Sequence, residues 1–456
     1  MEKTEFIRLA PAVKKEMLDY KYWLENDSAA ELMSAADIKK FNQLAFKRAK
    51  ALEKEKYYCD LKKFPEYLSR EEIYEKISLC SKTNKLLNSD YYNLELKKMS
   101  RVKKNEIIKR LNLEKLQKNK GSSQKIYAGV LIKRSNLRAY PAADFYTANI
   151  NSQKQDSFQL TALSLGTPVL ILHKSINQKW LFIQAKLFQG WIKTENIAFA
   201  ASRNQAFSYL ETKDFLMVTG SWVETESYYC SDKSQRRLFQ MGDRIALLND
   251  FWLSNSAYKE REELKDAEAA YHIVLPAKDR NSRLYFRRGI IAFSRDLKHG
   301  FLTYSRKNLV RQAFKMLGER YGWGGIWQRR DCSRFVMDIY RTVGIELPRD
   351  TGLPQEKIAA GPDFKLAGSK KERKKIIAEL EAGDLLYLEG HVMIYLGRKD
   401  KKDYVIHAAA GYGKLKNDKL QSVDARGVFI MELEQLFKNG AQTYLESLRL
   451  GRKLLL

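Results

Sequence analysis

At 456 residues the chain is too long for one ordinary hydrophobic core, which sets the expectation at about three or four domains. Hydrophobic residues at 44% and aromatics at 12% supply those cores and exclude bulk disorder. Lys and Arg total 82 against 55 Asp and Glu, and the resulting +27 favours an anionic partner without naming it: nucleic acid, anionic cell-wall polymer and membrane surface all suit such a field.

The opening MEKTEFIRLAPAVKKEM lacks the uninterrupted apolar stretch of a secretory signal, and no run reaches membrane-span length. The chain therefore reads as soluble with no transmembrane segment, but removal of a leader would leave the same sequence, so the compartment stays open. Cys59, Cys80, Cys230 and Cys332 form no CxxC pair and have no histidine at zinc-ligand spacing, so neither metal nor organic cofactor is expected. Cys59 and Cys80 read either as a disulfide or as two buried thiols.

In chain order, residues 1–120 are dense in Lys, Glu, Leu and Tyr with helical spacing in AAELMSAADIKKFNQLAFKRAKALEKEKYY and EEIYEKISLCSKTNKLL, which predicts a helical N-terminal region. KLQKNKGSSQK closes it as a linker. Short β-rich runs follow over 121–202 (YAGVLI, TPVLILH, KWLFIQA, QGWIK) and again over 203–303 (FLMVTGSWV, RIALLND, YHIVLPA, RLYFRRGIIAF), predicting two small barrels. LGTPVLIL from Leu165 and MGDRIALL from Met241 look like one repeated position, a glycine turn feeding an alternating strand.

Through KRSNLRAYP, DSFQLTALSLGTPV and KWLFIQAKLFQGWI, the first β block resembles a bacterial SH3-like domain of cell-wall hydrolases. The second block resembles such a domain more faintly. Domain neighbours of this kind reach into the substrate pocket in relatives, which makes Tyr140 a substrate-binding candidate.

Residues 304–456 turn helical in NLVRQAFKMLGERYGWGG and again in DCSRFVMDIYRTVG, which places Cys332 at the start of a helix. Unclaimed amides and the helix dipole favour a thiolate there. A thiolate nucleophile needs a base, and the base needs a group to orient it. His391 in HVMIYLG and His407 in YVIHAAAGYG lie in adjoining β-rich runs, as antiparallel neighbours would. Taken singly, each of the three is more often a structural side chain than a catalytic one.

Their joint setting, RYGWGG, DCSRFV, LPRDTGLPQ, AGDLLYLEGHVMIYLG and VIHAAAGYG in this order, resembles the NlpC/P60 family of papain-like cysteine peptidases. The resemblance implies Cys332 as nucleophile, His391 as general base and acid, and His407 as its orienting partner. It also implies cleavage of the bond between γ-D-Glu and a diamino acid, meso-diaminopimelate or L-Lys, in peptidoglycan stem peptides or muropeptides. Asp331 is then the ligand of a free N-terminal L-Ala amine, although an Asp there also serves as an ordinary helix cap. Arg349 and Thr351 line the D-Glu carboxylate pocket, Ser333 joins the site, and the Tyr321 hydroxyl assists the Cys332 amide at the oxyanion.

The sequence departs from the family pattern at IWQRRDC, where Arg329 and Arg330 are expected to alter the groove, and at the added basic run KKERKKII. The fold class expected is multidomain α+β: a helical region, two SH3-like barrels and a papain-like α+β domain, monomeric and acting in the cell envelope. The competing readings are a wall-binding protein without catalysis and an amidase or acyltransferase on the same scaffold. Nucleic acid is not an expected partner, since no RNP-like segment or zinc-finger spacing occurs.

Overall fold

The computed structural model describes residues 7–51, 59–118, 121–150, 155–226, 236–259, 269–349, 353–440 and 442–456. The chain gathers into two compact units, one of Met1–Lys54, Phe301–Gly322 and Arg329–Leu456, the other of Glu55–Gly300 and Trp323–Gln328. The expected helical region thus supplies both: the helix Ala35–Ala51 to the first, and the helices from Arg70–Cys80 to Leu113–Gln117 to the second.

In the second unit the β-rich run after Ile126 forms an antiparallel seven-stranded sheet from Tyr127–Leu131 to Ile197–Phe199. Its strand alternation divides the apolar side chains into two sets. Leu137, Val169, Ile171, Leu181, Ile183 and Ile192 fill the interior, while Leu170, Leu172, Phe182 and Trp191 pack with Ile73 and Ile77 of the helix Arg70–Cys80. That helix starts on a Ser69–Glu72 capping box. The indole N–H of Trp191 donates to Ser81 Oγ at 3.0 Å, so this large ring is buried without an orphan donor.

The repeat expected from the two glycine turns is present in the backbone. Gly166 and Gly242 both take left-handed φ, +79° and +81°. Gly166 N–H donates to Leu131 C=O and Leu131 N–H to Thr167 C=O, and the same exchange joins Gly242, Val218 and Asp243. Among the described residues the second block nevertheless divides its strands among three small sheets, two of three strands and one of two, where the strands of 127–199 in the first block form a single sheet. Cys59 and Cys80 are free thiols; Cys230 lies outside the described residues.

In the first unit α1 (Ala35–Ala51) belongs with the C-terminal domain: Asn42 Nδ2 donates to Gly344 C=O at 2.9 Å, and Leu32 N–H to Tyr304 C=O at 2.8 Å. Two further helices, α2 (Arg306–Phe314) and α3 (Cys332–Arg341), precede a run of strands. These are β1 (Asp363–Lys365), β2 (Leu385–Leu388), β3 (His391–Lys399), β4 (Lys402–Ala409), β5 (Tyr412–Lys416), β6 (Lys419–Val423), β7 (Gly427–Glu432), β8 (Phe437–Asn439), β9 (Gln442–Thr443) and β10 (Leu448–Arg452). The antiparallel six-stranded sheet runs β1-β10-β2-β3-β4-β7, and a smaller sheet runs β6-β5-β8-β9. The KKERKKII run is a helix, Lys370–Ile377, capped by Ser369 and Glu372, with Ile377 buried.

Helix α3 packs on β3 and β4. Its apolar side chains Phe335, Val336, Met337, Ile339 and Tyr340 are buried, and Tyr340 donates to Gly383 C=O at 2.6 Å. Arg330 does not line a groove, contrary to expectation: it is 2% exposed and pairs with Asp338 at 2.8 Å and Glu319 at 3.1 Å. Arg334 pairs with Asp338 at 2.7 Å. Burial opposes ionisation of Asp338, but Arg334, Arg330 and Arg341 outweigh it and hold the carboxyl below its ordinary value. Replacing Asp338→Asn leaves buried guanidinium groups without their central anion and should destabilise this unit by about 3 kcal/mol or more. Urea unfolding at neutral pH measures it; a loss under about 1 kcal/mol would show that Glu319 suffices as counter-ion.

Candidate active site

Asp331 has extended backbone and accepts from Arg334 N–H at 3.0 Å, which ends the preceding loop and makes Cys332 the first residue of α3. The sulfur is therefore at the end of the helix where amides are unclaimed by the helix itself. The Cys332 side chain is nevertheless 7% exposed. Burial, and then the Asp331 charge, push its thiol up to about 12, against the favourable pull of Val392 N–H, Arg349 and Ser333 N–H. The depressed thiol expected from the helix end is thus overridden by desolvation.

Val392 adjoins His391, so the amide that favours the thiolate belongs to the start of β3. Strands β3 and β4 pair antiparallel with Ile394 opposite Ile406 and Tyr395 opposite Val405. His391 and His407 consequently share one face, and His391 Nε2 lies 2.7 Å from His407 Nδ1. Burial first, and the Lys438 charge second, push the His391 imidazole down to about 3. Burial holds His407 well below its ordinary value of 6.5. Each of these shifts favours the uncharged form of its group.

Only one tautomer of this pair leaves His391 Nδ1 free to take a proton. His391 must carry its hydrogen on Nε2 and donate it to His407 Nδ1, which places the His407 hydrogen on its own Nε2. That atom is buried with no hydrogen-bond partner. The walls around His407 are aromatic, Phe429 at 4.6 Å and Tyr444 at 5.9 Å between ring centroids, both edge-on. An N–H directed at a ring face recovers part of such a loss.

At the same helix end, Arg349 pairs with Asp331 and also donates to Ser333 Oγ, and the Ser333 hydroxyl donates to Asp331 at 3.3 Å. Arg349 is buried, not a solvated loop cation. Tyr321 bridges to the Arg330 strand segment, and its hydroxyl is held well above its ordinary range by burial, then by Cys332 and Asp331. Thus Tyr321, Asp331, Cys332, Ser333, Arg349, His391 and His407 all belong to the first unit. Thr351 lies outside the described residues. Tyr140 belongs to the second unit, where its hydroxyl donates to Lys82 C=O at 2.9 Å and its ring packs on Phe158 at 4.7 Å. Trp323 and Trp327 also group with that unit, Trp327 stacking on Phe145 at 6.1 Å.

Sequence reasoning passed over three neighbours of the histidine pair: Phe429, Tyr444 and Lys438. The aromatics carried no signal beyond ordinary strand composition, and Lys438 is one cation among 82.

Residues 318–429 match the model of the NlpC/P60 family, and residues 147–193 that of an SH3 domain of SH3b1 type. The chain thus contains one region similar to NlpC/P60 domains and one similar to SH3b1-type domains. Among solved structures it is similar to a novel NlpC/P60 endopeptidase from Photobacterium damselae subsp. piscicida, at 16% identity and TM-score 0.73 over 98% of each chain. An NlpC/P60 family protein from Bacillus cereus ATCC 10987 is 18% identical over 72% of this chain and 100% of its own, with TM-score 0.48. The first likeness extends the shared fold to nearly the whole chain. No curated protein matches the sequence.

Because the unfolded chain protonates histidine near 6.5 while the folded site keeps His391 and His407 neutral, the histidines stabilise the fold above that value. This contribution is lost as pH falls toward about 3. The unfolding midpoint should drop between pH 6.5 and 4, and His407→Gln should flatten that slope. Alkylation of Cys332 by iodoacetamide, followed by peptide mass spectrometry, should still be accelerating above pH 9. A plateau near pH 7 would instead mark a resting thiolate–imidazolium pair.

Proposed function

We propose that the chain is a cysteine peptidase of the cell envelope that hydrolyses the bond between γ-D-Glu and the diamino acid of peptidoglycan stem peptides bearing a free N-terminal L-Ala. The observation that carries this reading is the histidine pair at 2.7 Å, with the amide beside His391 directed at the sulfur of a helix-initial cysteine. The NlpC/P60 and SH3b1-type domains support the peptidoglycan substrate.

In this mechanism His391 Nδ1 takes the proton as Cys332 Sγ attacks the γ-carbonyl carbon, so no resting thiolate is needed. His407 stabilises the new imidazolium through the Nε2–Nδ1 hydrogen bond. The oxyanion is received by the Cys332 amide at the start of α3, with the Tyr321 hydroxyl as second donor. The imidazolium protonates the departing amine of the diamino acid and leaves a thioester. Water, deprotonated by His391, then releases the acyl fragment and restores the thiol.

The L-Ala amine binds Asp331, sharing the carboxylate with Arg349, while Arg349 and Ser333 meet the D-Glu carboxylate. Because Asp331 already serves Arg334 N–H, Ser333 and Arg349, a charged amine completes an existing network and arrives at a preformed anion.

Wild type and Cys332→Ala are compared on L-Ala-γ-D-Glu-meso-diaminopimelate and its N-acetyl form by mass spectrometry. Wild type alone should release L-Ala-D-Glu, and only from the free-amine peptide. Cleavage of both peptides would keep the peptidase and remove the Asp331 role. Cleavage of neither, nor of muropeptides, would favour a wall-binding protein or another acyl substrate. His391→Ala should lower kcat by roughly 10²- to 10⁴-fold.

A further inference from the structure

Lys438 lies on β8, the strand that leads through β9 to Tyr444 and so to the wall of His407. Its ammonium donates to the carbonyl of Glu389, in the turn between β2 and β3 that delivers His391. The side chain is half-buried, and among the described residues it makes no ion pair. A cation that has lost part of its water, with one carbonyl as its hydrogen-bond partner and the Glu389 charge too far for an ion pair, is only partly compensated. Burial accordingly lowers its proton affinity more than Glu389 raises it, and its charge is felt by both His391 and Cys332.

We propose that Lys438 is a carboxylate-binding residue for the departing side of the substrate, receiving the carboxylate of the amino acid released when the bond is cut. The inference rests on the cleavage proposed above and deepens it. The imidazole that protonates the leaving nitrogen must lie beside that nitrogen, and in an α-amino acid the carboxylate is attached to the same carbon. A cation anchored two residues before His391 is therefore within the neighbourhood of that carboxylate. The acyl side has its own cation, Arg349, tied to Asp331 and Ser333 at the start of α3. The two charges divide the substrate between them, guanidinium for the acyl part and ammonium for the leaving part.

The test is binding, which needs no turnover. Cys332→Ala protein is titrated calorimetrically with L-Ala-γ-D-Glu-L-Lys and with its C-terminal carboxamide, and the titrations are repeated with Lys438→Met added. The acid should bind at least about tenfold more tightly than the amide, and Lys438→Met should bring the two within about twofold of each other. Lys438→Arg, which keeps the charge, should retain the preference and covers the case in which Lys438→Met fails to fold. Equal binding of acid and amide to Cys332→Ala, or binding of neither, overturns the inference. So does a Lys438→Met loss that falls equally on both peptides, which would make Lys438 a brace of the Glu389 turn. Acid preference that depends on Lys438 in a protein that cuts neither peptide upholds the carboxylate site and removes the cleavage reading.

Discussion

The carboxylate of Asp331 is the point on which the first unit's chemistry is organised. It accepts the Arg334 amide and so starts α3 at Cys332, it pairs with Arg349, and it accepts the Ser333 hydroxyl. A buried anion is tolerable only when such donors surround it. Its two oxygens are divided: the helix cap uses one, and the Arg349 pair uses the other. Arg330 and Arg334 converge on Asp338, so α3 is fixed by charge as well as by packing.

Desolvation governs the rest of the site. It raises the thiol and lowers both imidazoles, and each shift favours the uncharged form. The tautomer that leaves His391 Nδ1 free carries a cost, the buried Nε2 of His407 with no hydrogen-bond partner.

The β region follows a different logic. Two glycine turns with left-handed backbone each lock onto the end of an earlier strand by the same pair of backbone hydrogen bonds, at Leu131 and at Val218. One block continues into a seven-stranded sheet with a full interior, whereas the other opens into smaller sheets. The common element is the local turn, whose conformation depends on one glycine. Sheet closure depends on how many apolar side chains the following strands bring to the inside.

Local signals were legible in the sequence because their physics is local. A cap at Asp331 followed by apolar residues at helical spacing sets Cys332 at a helix start, and alternating runs put His391 and His407 on neighbouring strands. The order of the motifs carried the family resemblance. What the sequence could not decide was the balance of long-range terms: that Arg330 turns inward to Asp338, that burial outweighs the helix end at the thiol, and that Lys438 comes to the turn before His391. Each depends on groups separated in the chain and on how much water the fold removes between them, and only the packed tertiary structure sets that distance and that dielectric.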